Sequence, residues 1–226
     1  VASQGAAWSG VGLNLRTPEL ISVHTSFQWS PSQEETVWPG LGKCLREAGV
    51  LRGRQQHRVS MALSSEQCVS GVLELPAHLA ADEWATEVQL EVSQLLGKEP
   101  DEVHFDFYPE THTHEAVHRV HWVGCTQSQI DDYKSCTRAA GWQLESVEPS
   151  VLAAQRAVAA LQGGMGSLLT QATQDWQFHL QAVKEVAAHM QGRPLDLMAD
   201  TGLHQAMKSE AGARLVAAGL ALKVWL

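Results

Sequence analysis

The sequence predicts a mixed α/β fold, and three observations carry that prediction. Val103, Phe105 and Phe107 alternate with His104 and Asp106, the period of two expected of a strand buried on one face. Trp84, Val88, Val92, Leu95 and Leu96 recur at helical spacing within Asp82–Leu96, and Gly97 supplies the stop. Strand-like and helix-like segments of these two kinds then alternate along the chain, the order that produces a sheet with helices packed against it.

Taken in order, Val11–Leu15 reads as a short strand and Glu19–Trp29 as its hairpin partner, bounded by Pro18 and Pro31. Glu34–Ala48 carries Val37, Leu41 and Leu45 four residues apart and ends at Gly49, a helix weakened in its first half by Pro39 and Gly42. Arg58–Leu63 and Cys68–Leu75 are strands, the second closed by Pro76, and the Asp82–Leu96 helix and the Val103–Tyr108 strand follow. His118–Gly124 is a further strand. Thr126 and Gln129 form a capping-box signature for a helix that Gly141 closes. Gln143–Val147 returns as a strand, and Pro149 stands just before a helix over Val151–Leu161. Gly163, Gly164 and Gly166 mark a linker, after which Ser167–Ala172 and Trp176–Ala182 are expected to form a hairpin around Gln174–Asp175. Helices are expected over Val183–Met190 and Ala211–Leu222.

Composition narrows the function. With 25 acidic against 16 basic residues the formal net charge is −9, and no basic cluster exceeds the short run around Arg52 and Arg54. A nucleic-acid binder needs a basic face to displace counterions, so nucleic acid is not an expected partner. Cys44, Cys68, Cys125 and Cys136 lack metal-type spacing and sit in apolar or helical contexts, as buried thiols in a reducing compartment do. No basic region followed by an apolar run opens the chain, so no signal peptide is expected, and Val in place of Met at position 1 points to a trimmed or partial chain. No apolar run reaches the roughly 18 residues of a membrane span. The expected location is cytoplasmic.

Two segments resemble the PilM/HofM group of type IV pilus assembly proteins. His57–Glu110 is similar to the family run of a strand, a second strand ending in Leu75-Pro76, an acidic amphipathic helix and a D-E-V-x-x-D-F strand, here Asp101, Glu102, Val103, Asp106 and Phe107. Gln127–Val158 resembles the family's helix, Ala139-Ala140-Gly141 turn, strand and Val147-Glu148-Pro149 element, and Ala217–Lys223 its C-terminal helix. The resemblance implies an actin-like, ribonuclease H-like lobe over residues 8–161 with a small α+β subdomain inserted at about 67–118, then a shortened second lobe over 162–226. It also implies a cytoplasmic scaffold, peripheral to the inner membrane, that binds the N-terminal tail of a PilN-like membrane protein and other pilus platform components. A nucleotide-responsive ATPase of the same machinery and a GspL-like subunit of type II secretion are the alternatives. By the same analogy the tail would meet strand edges near Leu73, Leu75, Val103, Phe105 and Phe107, with Trp84 and Val88 of the intervening helix beside them. Spacing alone makes that helix face ordinary core.

ATP and magnesium belong to the family, but the matching phosphate-loop run here is Gly12-Leu13-Asn14-Leu15-Arg16-Thr17. The family pattern G-[IL]-D-[IL]-G-[ST] has Asp where Asn14 stands, which removes a carboxylate from a magnesium shell, and Gly where Arg16 stands, which fills phosphate space. No cofactor and no catalytic residue is expected, and the chain is read as a pseudo-ATPase. His104, His112, His114, His118 and His121 are dense, but no acid or cysteine completes a metal site at convincing spacing. The lone Asp200-Thr201-Gly202 has no second copy with which to share a proton, so it reads as a turn.

Overall fold

A computed structural model describes residues 1–4, 7–31, 37–50, 57–110, 117–190, 201–209 and 211–226. The chain divides into two compact units. The first gathers the described residues of Val1–Ser64, Asp132–Ala188 and 201–226; the second is essentially Ser65–Asp131.

In the first unit, β1 (Ala2–Gln4), β2 (Ala7–Leu15), β3 (Leu20–Trp29) and a late strand over Gln177–His179 form an antiparallel sheet in the order first, second, third, late. The predicted hairpin is there, with β2 four residues longer at its start than apolar content suggested. Trp8 pairs with Trp29 and Gly10 with Phe27, so the pairing continues through a stretch whose Ser9 and Gly10 break the apolar pattern, with Trp8, Ser9 and Gly10 all buried. Helix α1 (Val37–Val50) follows; Pro39 falls within its first turn, where a missing N–H costs nothing.

Strand β4 (His57–Leu63) pairs in parallel with a strand over Trp142–Pro149, and parallel neighbours require a crossover. The returning helix Gln127–Ala139 completes it. Its Tyr133 hydroxyl donates to the Ala62 carbonyl at 3.0 Å, and Trp38 stacks edge-on against Tyr133 at 5.6 Å. The β4 ladder also continues to the chain start, where the Ala62 N–H donates to the Val1 carbonyl at 3.1 Å.

The last third of the chain differs from expectation. Gly163 and Gly164, at φ +79° and +56°, are a tight turn rather than a linker, and residues 164–170 are a short helix rather than a strand. The expected hairpin is absent: Gln177–His179 pairs with β3, Phe178 opposite Ile21. Burial explains it, because Leu168, Trp176 and Phe178 all enter the core that holds Leu13, Ile21, Ala153 and Leu215. The helices Leu180–Met190, Thr201–Lys208 and Gly212–Leu222 contribute to that same core. Thr201 and Gly202 open a helix; Asp200 lies outside the described residues.

A charged pair penetrates this core. Arg156, on the helix Ser150–Ala160, is 4% exposed and donates to Glu148 through Nη1 at 2.6 Å and Nη2 at 3.1 Å. Nη1 also reaches the Gly219 carbonyl at 2.7 Å. That contact needs the two helices close, and Gly219 permits it, because a Cβ there would run into the Ala153 backbone.

The second unit is a three-stranded antiparallel sheet, β5 (Val69–Pro76), β7 (Val117–Thr126) and β6 (Val103–Pro109) in that spatial order, with α2 (Ala81–Leu96) on one face. The whole of β7 belongs to this sheet and to this unit.

Candidate partner-binding site

The site predicted from sequence lies in the second unit, and α2 organises it. Its first turn carries Asp82 and Glu83, which favour the positive helix end, and the Glu83 carboxylate accepts from the Ala80 N–H at 3.0 Å. Gly97 ends it in the left-handed conformation at φ +60°, while the Lys98 N–H donates to the Ser93 carbonyl. At the far end of β7 the predicted capping box is made: the Thr126 N–H donates to Gln129 Oε1 at 3.0 Å and the Gln129 N–H to Thr126 Oγ1 at 3.4 Å.

The structure brings all seven predicted residues together, as the packed interior between sheet and helix. Leu75, Val88 and Val103 are buried and join Val92, Val120 and Trp122 in one cluster. They support the surface and have almost none of their own to offer a partner. Leu73, Trp84, Phe105 and Phe107 pack against that cluster while retaining exposed area. The Trp84 indole donates to the Leu79 carbonyl at 3.3 Å and tilts over His118 at 5.0 Å, and Phe105 and Phe107 stack at 6.5 Å. Leu95 departs from expectation: it is 56% exposed, because Leu96 takes the inward position. Gly124 must lack a side chain, since the Val92 methyls occupy that place.

The opposite sheet face is polar, and sequence reasoning missed its organisation. Arg119 lies 3.1 Å from Glu110 and 3.6 Å from Glu74. His121 is fully buried, stacks on Tyr108 at 5.1 Å and places Nε2 3.6 Å from Glu110. Burial and the Glu110 charge together raise the Tyr108 phenol above its ordinary pKa. The signal was the polar half of the strand alternation, His104, Asp106 and Tyr108 against Arg119 and His121. His112 and His114 lie outside the described residues.

The run read from sequence as a degenerate phosphate loop sits in the first unit, at the β2–β3 turn. Asn14, Arg16 and Thr17 are exposed, and only Gly12 of the four lines a cavity of about 630 Å³ between β2 and β4. The turn's own amides are already used: the Arg16 and Thr17 N–H groups donate to the Leu20 carbonyl at 2.8 and 3.2 Å, and the Leu20 N–H donates to Thr17 Oγ1 at 3.1 Å. A phosphate cradle needs such donors converging on the ligand. Here they close the hairpin.

Residues 38–191, more than half of the chain, match the family model described as type IV pilus assembly protein PilM. The chain belongs to this PilM family. Among solved structures it is similar to the PilM–PilN type IV pilus biogenesis complex, at 16% identity and a TM-score of 0.56, over 70% of this chain and 48% of that one. The likeness establishes a mixed α/β, actin-like fold. The chain spans about half the length of that PilM chain. The cytoplasmic domain of EpsL, an inner-membrane component of the type II secretion system of Vibrio cholerae, aligns at 16% identity over 87% of this chain and 78% of its own, with a TM-score of 0.45. Comparison with curated protein sequences returns no match. No helix among the described residues of this PilM-family chain is long and apolar enough to cross a membrane.

Proposed function

We propose that the chain is a non-enzymatic scaffold of the type IV pilus assembly platform, held at the cytoplasmic side of the inner membrane by capturing the N-terminal tail of a PilN-like membrane protein. Membership of the PilM family supports the machinery, and the PilM–PilN complex supports the kind of partner. In this reading the first unit is the actin-like, ribonuclease H-like lobe and the second is its inserted α+β subdomain.

The observation that carries the proposal is the edge structure of the second unit. Among the described residues β5 and β6 each pair only with β7, which leaves each with one backbone edge lacking a strand partner. Half-buried Phe105 and Phe107 stand along the β6 edge, and Leu73 along the β5 edge. An extended peptide adds to such an edge through main-chain hydrogen bonds, and its alternate side chains are read by apolar notches. The paired phenylalanines favour β6. Nucleotide has no part in this reading, because the β2–β3 turn lacks the metal carboxylate and spends its amides internally.

Titration with a peptide copying the tail of the cognate PilN-like protein is expected to give saturable binding and slower amide exchange within residues 67–110, greatest on β6. Absence of binding together with unchanged exchange would defeat the proposal. Calorimetry with Mg-ATP is expected to show no saturable heat, and micromolar binding would overturn the nucleotide-independent part.

A further inference from the structure

We infer that Cys68 and Cys125 form a reversible cross-strand disulfide site that staples the base of the second unit. The strand register places them. Val69 is opposite Gly124 on β5 and β7, so Cys68, immediately before β5, stands opposite Cys125. Both side chains leave the same face: Gly124 is turned toward Val92 of α2 and Val69 packs in the α2-side cluster, so their neighbours point away from α2. Directly opposed residues on antiparallel strands have Cα atoms roughly 4.5–5.5 Å apart. That lies within the roughly 4.4–6.8 Å a disulfide spans. The two thiols are also close enough for the charge of one to raise the pKa of the other. In this structure both are reduced.

Exposure sets the order of the chemistry. Cys68 is half-buried and Cys125 only 3% exposed, so an external oxidant meets Cys68 first. The oxidant is a small-molecule disulfide of the glutathione class. Deprotonated Cys68 attacks one of its sulfurs, forming a mixed disulfide and releasing one thiol. Deprotonated Cys125 then attacks Cys68 Sγ, forming the protein disulfide and releasing the second thiol. Both cysteine protons end on the two released thiols, and two electrons pass from the protein to the oxidant. Burial, which pushes both cysteines to about 11, makes the site slow at neutral pH, as befits a response to sustained oxidation.

The consequence is mechanical. The bond would join the start of β5 to the end of β7, near the two points where the chain enters and leaves this unit, and would enclose α2 and the whole sheet.

The test uses the full chain and glutathione disulfide as the probe. After incubation, two of the four thiols are expected to be lost, with Cys68 and Cys125 joined in one cross-linked peptide by mass spectrometry. Dithiothreitol is expected to restore both. Cys125→Ser should accumulate a glutathione adduct on Cys68, and Cys68→Ser should accumulate little. In the wild type, an unresolved Cys68 adduct, a cross-link to Cys44 or Cys136, or a disulfide-linked dimer would overturn the inference. Peptide mapping of the wild type decides the matter even if a variant folds poorly.

Discussion

Replacing Arg156 with methionine tests how the first unit is held together. Arg156 is 4% exposed, makes a two-pronged contact with Glu148 at 2.6 and 3.1 Å, and donates to the Gly219 carbonyl at 2.7 Å. Methionine fills much of the volume but none of those hydrogen bonds. Glu148, itself 7% exposed, would keep a buried charge offset by Lys223 at 3.3 Å, whose side chain is 40% exposed, and by the neighbouring Val1 amine. Removing one partner of a buried pair typically costs about 3–5 kcal/mol. That is a large share of the roughly 5–15 kcal/mol by which a domain is stable. The double variant Arg156→Met/Glu148→Leu removes both charges and is expected to recover most of the loss. Urea unfolding followed by tryptophan fluorescence reads both. A single-variant loss below about 1 kcal/mol, the range of an exposed pair, would refute the reasoning. So would a double variant as unstable as the single.

In the second unit, Val88→Ala removes two methyls from a fully buried site and should cost about 2 kcal/mol, whereas Leu95→Gln, on exposed surface, should stay within about 0.5 kcal/mol by the same unfolding assay. Gly97→Ala forces a side chain into the left-handed region at φ +60° and should cost about 1 kcal/mol. Thr126→Ala removes the acceptor for the Gln129 N–H and is expected to cost a similar ~1 kcal/mol. Burial raises the Cys68 and Cys125 thiols from 9.0 to about 11, so their neutral form favours the fold. That contribution is complete below the unfolded value of 9.0 and is lost as pH rises through the folded value of about 11. The urea midpoint of the wild type should therefore fall more steeply between those pH values than that of Cys125→Ala, and parallel curves would count against it.

Where neighbouring residues decide the outcome, the sequence was legible. The capping box at Thr126 and Gln129, the Gly97 stop and the alternation of Val103, Phe105 and Phe107 all involve partners within four residues, and each is found in the structure. Failures cluster where one segment had two acceptable partners. Ser167–Leu168–Leu169 and Trp176–Phe178 have strand-like composition, yet the first is helical and the second pairs with β3, because that arrangement buries Leu168, Trp176 and Phe178 in one core. At the candidate site, the family resemblance pointed to the seven residues, and apolar periodicity could not say which of them surface. Val88 and Leu95 look alike on a helical wheel, and the sheet beneath α2 decides between Leu95 and Leu96.

The Gly12–Thr17 run divides the same way. Asn14 and Arg16 could be read directly, since residue identity does not depend on the fold. That the turn's amides close on Leu20 rather than on a ligand depended on the chain reversing there. By itself, then, the sequence determined the α/β class, the Gly97 stop of α2 and the PilM resemblance, because these are set by residue identity and short-range spacing. Only the tertiary structure decided that the C-terminal helices share the core of the first sheet, that Arg156 meets Glu148 and Gly219, and that Cys68 faces Cys125. Those outcomes rest on contacts between distant parts of the chain, chosen by how much apolar surface and how many hydrogen bonds the whole arrangement satisfies at once.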